Sequence, residues 1–154
     1  MASKLSDVFD SLNTRLAALF PNKTIIPYPY SLTDAPTAML KDSYGLKVGS
    51  GSDSDLSTDY LNTTNRTYSV VLVREVYGFA SVETTINAAT KAIFDDQYAL
   101  KNDLLDLMKV SPMFGGEDID FEGDSGLESL DGEKQRYITL ETTFSFELTQ
   151  EINQ

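Results

Sequence analysis

The stretch RYITLETTFSFELT, from Arg136 to Thr149, decides the fold. Ile138, Leu140, Thr142, Phe144, Phe146 and Leu148 occupy its even positions. Tyr137, Thr139, Glu141, Thr143, Ser145, Glu147 and Thr149 occupy the odd ones. A period of two marks a strand with one buried and one wet face. The run is rich in β-branched and aromatic residues, which suit a pleated surface. It therefore predicts a long strand near the C-terminus, whose apolar face needs a cover.

The covers come earlier in the chain. Leu5, Val8, Phe9, Leu12, Leu16, Leu19 and Phe20 recur at three- and four-residue spacing, which predicts an amphipathic helix over Ser3 to Phe20. Ser3 or Ser6 is expected to cap it, and Pro21-Asn22 to stop it. Ser81 to Lys109 predicts the main helix, with Val82, Ile86, Ala89, Ile93, Leu100, Leu104 and Leu107 in one stripe. Phe94, Tyr98, Leu105 and Met108 widen that stripe. It drifts at Asp95-Asp96-Gln97, where a break into two helices is expected.

Between the helices, NRTYSVVLVREVYGF (Asn65 to Phe79) is apolar on both faces in its middle, as in a strand covered on both sides or covered by a neighbouring subunit. Tyr44 to Val48 predicts a further strand. In Lys23 to Tyr30, Pro27 and Pro29 cannot donate to a ladder, so the segment is an edge strand or a loop. Gly and Ser residues among acids predict flexible acidic loops at about 49–62 and 113–133. Within the second, Asp118 to Gly123 is expected to form a short strand and turn, and Gly123 to Lys134 a loop or hairpin tip. The whole predicts an α+β fold: one antiparallel β-sheet with an N-terminal helix and a long central helix packed on it. At 154 residues, with no internal repeat, one domain over 1–154 is expected.

Composition narrows the chemistry. With no Cys there is no thiolate and no disulfide, and with no His the usual base at neutral pH and the commonest metal ligand are gone. An enzyme would have to work with carboxylates, Lys, Tyr and Ser, for instance as a two-acid glycosidase, and nothing in the sequence selects a pair. The expectation is no catalysis and no cofactor. Calcium is tested by spacing. Counted from Asp53, the sixth and twelfth loop positions are Thr58 and Thr64 rather than Gly and Glu. Counted from Asp118, Gly123 falls sixth but Ser129 falls twelfth. No metal is expected.

No apolar run approaches the roughly 18–20 residues of a membrane helix. The opening MASKLSDVFDSL has no apolar h-region, so no secretory signal is expected, and the sequons at Asn22, Asn62 and Asn65 read as chance matches. Lys plus Arg total 12 against 24 Asp plus Glu, a formal charge of −12. Such a surface repels free nucleic acid and anionic membranes. Asp53, Asp55, Asp59, Glu117, Asp118 and Asp120 are the candidate acidic loop residues, and a merely solvated face would explain them as well. Tyr28, Tyr30, Tyr77 and Phe79 are the candidate interface residues.

The order of helix, edge segment, strand, strand, helix, short strand and long strand resembles the tail-terminator family of long-tailed bacteriophages. The matching parts are the helix from Leu5 to Phe20, the hairpin and strong strand from about Tyr44 to Phe79, the helix from Val82 to Lys109, and the closing strand from Ile138 to Leu148. The broken central helix and the acidic loop at 113–133 depart from that layout and would also suit a related neck or tube protein. The resemblance implies a structural virion protein of the tail and neck, present in the host cytoplasm during assembly. It implies a hexameric ring that caps the tail tube, joins it to the head-completion proteins and lets DNA pass an acidic lumen without specific binding. Other neck, connector or tail-tube proteins are the alternative within that class. A monomeric acidic binding module that mimics DNA is the alternative from another class.

Overall fold

The computed structural model describes residues 4–32, 40–53, 61–76, 82–110, 119–131 and 136–151. Its elements are α1 (Leu5–Leu19), β1 (Thr24–Ile25), β2 (Asp42–Asp53), β3 (Leu61–Val76), α2 (Val82–Val110), β4 (Asp120–Asp124), β5 (Glu128–Asp131) and β6 (Arg136–Glu151). The fold is mixed α/β, with two helices and a six-stranded sheet in the order β1-β2-β3-β6-β4, where β5 also pairs with β6.

The predicted C-terminal strand is β6, and it lies inside the sheet. It pairs antiparallel with β3 along the whole length of both, from Leu61 opposite Glu151 to Val76 opposite Arg136. This register places Tyr68, Val70 and Leu72 beside Phe144, Thr142 and Leu140 on one face. On the other side β3 pairs with β2, which carries Tyr44 and Leu46 onto the same face. Tyr68 stacks on Phe144 with ring centroids 5.8 Å apart. Val8, Leu12 and Leu16 of α1, Phe20 just after it, and Ile93, Leu100 and Leu104 of α2 close over these residues in one core. Each fully buried Leu or Phe there is worth about 1.5–3 kcal/mol.

The odd face is not the wet face that alternation predicts. Tyr137 and Thr139 are buried, because Ile26, Leu32 and Leu40 lie across that side and form a second cluster with Val71, Val73 and Tyr137. The expectation of a β3 covered on both sides is met by this crossing segment. Gly45 permits the close approach: a Cβ there would come within 2.6 Å of the Pro29 Cβ. The crossing also explains why β1 pairs parallel to β2, through Thr24 opposite Ser43, in a sheet that is otherwise antiparallel.

Three local expectations are corrected. First, Ser6 does not cap the helix, and Ser3 lies outside the described residues. Lys4 is the N-cap, Ser6 lies inside α1, and the Asp7 carboxylate accepts the Lys4 N–H at 3.1 Å. Second, α2 runs through Asp95-Asp96-Gln97 without a break. Asp95 is exposed, while Asp96 and Gln97 turn to partners: Asp96 meets Lys23 and Arg74, and the Gln97 amide donates to Asp124 and to Thr142, each at 3.0 Å. Third, the two acidic loops are shorter than predicted. Residues 49–53 extend β2 and residues 61–62 begin β3, because pairing between the strands continues past a register shift at Val48/Gly51. Weak local propensity yields there to the partner strand.

In the second predicted loop, β4 and β5 follow one another along the outer side of β6. Between them Ser125 keeps the pairing alive: its N–H donates to the Glu141 carbonyl at 2.9 Å, and its hydroxyl accepts the Glu141 N–H at 3.0 Å. Gly123 and Gly126 take the positive φ values this path needs, 124° and 72°. β4 and β3 both run antiparallel to β6, so α2 is the crossover between two parallel strands split by a third.

Candidate assembly surfaces

The sequence nominated acids and aromatics, and the structure separates them. Asp53 is exposed at the end of β2, and Asp120 is exposed at the start of β4. They sit on strands three spacings apart, roughly 14 Å across the sheet at ~4.8 Å per strand. They form no common site. Asp55, Asp59, Glu117 and Asp118 lie outside the described residues, as do Tyr77 and Phe79. Among the described residues no group of three or more Asp or Glu is placed to hold a metal ion. No helix among them is long and apolar enough to cross a membrane.

The acids that matter to the described structure were not the nominated ones. Lys23 bridges Asp42 and Asp96, the latter at 2.8 Å, and Arg74 reaches both carboxylates at 3.4 Å. Only 7% of the Lys23 side chain is exposed, and its ammonium lies 5.4 Å from the Phe20 ring centroid. Two cations facing two anions balance, which is what makes such burial tolerable. The cluster ties the exit of α1 to β2, β3 and the middle of α2. Its only trace in the sequence was the polar interruption at Asp95-Asp96-Gln97.

Asp124 is held below the usual carboxylate range, first by the Gln97 hydrogen bond and then by the Gly126 N–H, which donates to it at 2.8 Å. Burial pushes the Tyr44 and Tyr68 phenols up, with Arg66 partly offsetting the effect at Tyr68. Both therefore stay protonated at neutral pH and serve packing rather than proton transfer.

Tyr28 and Tyr30 behave as surface residues. Tyr28 is 59% exposed, and the two rings lie 5.5 Å apart. The Tyr30 hydroxyl accepts the Val48 N–H at 3.1 Å, so the ring is moored against β2 beside its edge. Ile25 of β1 is exposed as well, but it pairs with Tyr44 and so lies on the helix side of the sheet.

A second patch was misread in the sequence. Phe94, Tyr98 and Leu105 do not widen the core stripe of α2; they are exposed, Tyr98 by 71%. At about 100° per residue they lie within about 60° of Lys101 around the helix axis. Lys101 stands over the Phe121 ring of β4, at 5.6 Å. Asp103, on the opposite side, is bound by Arg15 of α1 at 3.0 Å. The patch is therefore the flank of α2 beside β4. The available signal was a stripe too wide for one buried face.

The odd face carries an open groove of about 360 Å³. Tyr30 and Leu32 form one wall, Leu130 the other, and Val71 and the Lys47–Glu141 ion pair (2.7 Å) the floor. These surfaces carry aromatic, apolar and paired charged groups. No protein-family model matches the chain, and no curated protein matches it in sequence.

Proposed function

We propose that the chain is a structural subunit of a long-tailed phage neck: a tail terminator, without catalytic turnover, that closes the tail tube as a hexameric ring. In this reading the long helix α2 is the crossing helix of the family layout, and the ring's other face meets the head-completion proteins. The observation that carries the reading is two unlike exposed groups on opposite sides of one sheet: Tyr28 and Tyr30 on the odd side, and Phe94, Tyr98 and Leu105 on the flank of α2. A closed ring is made of heterologous contacts, so every copy needs two different complementary surfaces. The acid excess supports it as well, since phosphate contacts supply most non-specific affinity and an acidic lumen denies them to passing DNA.

The test is to add the purified chain to growing tail tubes and image them. The expected result is ring density at one tube end and tubes that stop lengthening. Density repeated along the tube would make it a tube protein, and rings bound only to head connectors would make it a connector. Tubes that grow on without added density, while the chain displaces DNA from a basic protein, would replace the reading with that of an acidic binding module.

A further inference from the structure

We propose that the groove on the odd face is a docking site for an arginine side chain on an extended segment of a partner protein. The inference does not depend on the ring. β5 pairs with β6 so that Glu128 lies opposite Thr139, two residues from Glu141. Both glutamates line the groove, as diagonal neighbours about 7–8 Å apart at Cα. Lys47 takes one oxygen of Glu141, Oε1, at 2.7 Å. Among the described residues the other Glu141 oxygen has no partner, and neither does the exposed Glu128 carboxylate. The groove therefore holds two carboxylates against one ammonium, a surplus of one negative charge on a chain of charge −12. A guest with one positive charge balances that surplus, and the field of the whole chain draws it in.

The fork of a guanidinium suits this pair of acceptors. Its N–H donors lie in one plane, so a single group reaches Glu128 and the open oxygen of Glu141 together, where an ammonium is a point charge. The stem of the side chain needs apolar cover, and Leu32, Val71 and Leu130 supply it. Tyr30 stands in the wall with its hydroxyl held by the Val48 N–H, so the ring is fixed before a guest arrives. Guanidinium groups stack on such rings, and a wall already in place lowers the cost of binding. At about 360 Å³ the groove is near the lower end of ligand-site sizes. It has room for a long side chain and not for a helix, which is about 10–12 Å across. Tyr28, with its ring 5.5 Å from that of Tyr30, carries the aromatic wall on past the groove. Only the chain that flanks an arginine can use that extension, which favours a peptide segment over a free cation.

The probe is a short capped peptide of Gly and Ala with one central arginine, titrated into isotope-labelled protein and followed by amide chemical shifts. Saturable shifts are expected at Lys47, Glu128, Leu130 and Glu141, with an affinity that falls as salt is added. Citrulline, the uncharged isostere, in place of the arginine should abolish them. Glu128→Gln changes an exposed side chain, so it is expected to keep the unfolding midpoint and to weaken binding about fivefold. Asp10→Asn removes the same charge from the exposed side of α1, across the sheet, and should leave the affinity unchanged. Lys47→Met frees Glu141 and should tighten binding about threefold. Equal losses in Asp10→Asn and Glu128→Gln would overturn the proposal, because net charge alone would then attract the peptide. Weaker binding in Lys47→Met would overturn it too, as would shifts confined to residues away from the groove or no shift at millimolar peptide. A citrulline peptide that binds as well would remove the need for the charge. Free arginine amide that binds as tightly as the peptide would make the groove a small-cation site and overturn the partner segment.

Discussion

The two faces of the sheet are made by the same three strands and do different work. On the even face, Leu72, Leu140, Phe144 and their neighbours meet two helices in a continuous apolar core. On the odd face, a hydroxyl pair (Ser69 with Thr143, 3.0 Å), the Lys47–Glu141 ion pair and a small cluster around Val71 lie under one crossing segment. Alternation lets β3 and β6 serve both faces at once. The difference teaches that the large apolar core lies under the helices, while the odd face is held by a smaller cluster and polar pairs.

Substitutions can break that comparison. Phe144→Ala, beneath the helices, should cost about 3–5 kcal/mol in urea unfolding. Val71→Ala, on the odd face, should cost only about 1–2 kcal/mol by the methyl groups it removes. Equal costs would mean that the crossing segment packs as firmly as the helices. Next in size is Gln97→Ala, which leaves the fully buried Thr142 hydroxyl without its donor and should cost about 1–3 kcal/mol. Lys47→Met on the odd face breaks a pair about one-third exposed on each side, so less than about 1 kcal/mol is expected, falling further in salt.

The smallest effect is a pH slope. The folded state holds the Asp124 carboxyl below its unfolded value, so its contribution is fully present above the ordinary carboxylate range. It is lost as the pH falls through the folded value. Asp124→Asn should therefore flatten the decline in urea midpoint between neutral and acid pH without steepening it. An unchanged slope would show that the Gln97 and Gly126 hydrogen bonds do not distinguish the charged form.

The strands were legible because a period of two survives in RYITLETTFSFELT and because Tyr68, Val70 and Leu72 alternate inside an apolar run. The covering of Tyr137 and Thr139 was not legible, since it comes from Ile26 and Leu40, about a hundred residues earlier. β5 and the extension of β2 through Gly49–Asp53 were missed for a related reason: partner strands impose them on sequence that alone favours turns. The exposure of Tyr28 and Tyr30 fitted their place in a proline-bearing edge segment, Lys23 to Tyr30. For Phe94, Tyr98 and Leu105 the over-wide stripe was a sign that some members are exposed, but a helical stripe does not reveal which ones lie beyond the sheet beneath it. Asp95-Asp96-Gln97 read as a break because the partners of Asp96 (Lys23 and Arg74) and of Gln97 (Thr142) come together only in the folded chain.

The account stands on copies of this chain closing into a ring through unlike surfaces, and light scattering across a range of concentration and salt tests that most directly. The predicted result is a single closed species near six times the 17.0 kDa chain mass, favoured by salt, with nothing heavier above it. A 17.0 kDa monomer at every concentration, or a mass that climbs without limit, would contradict it.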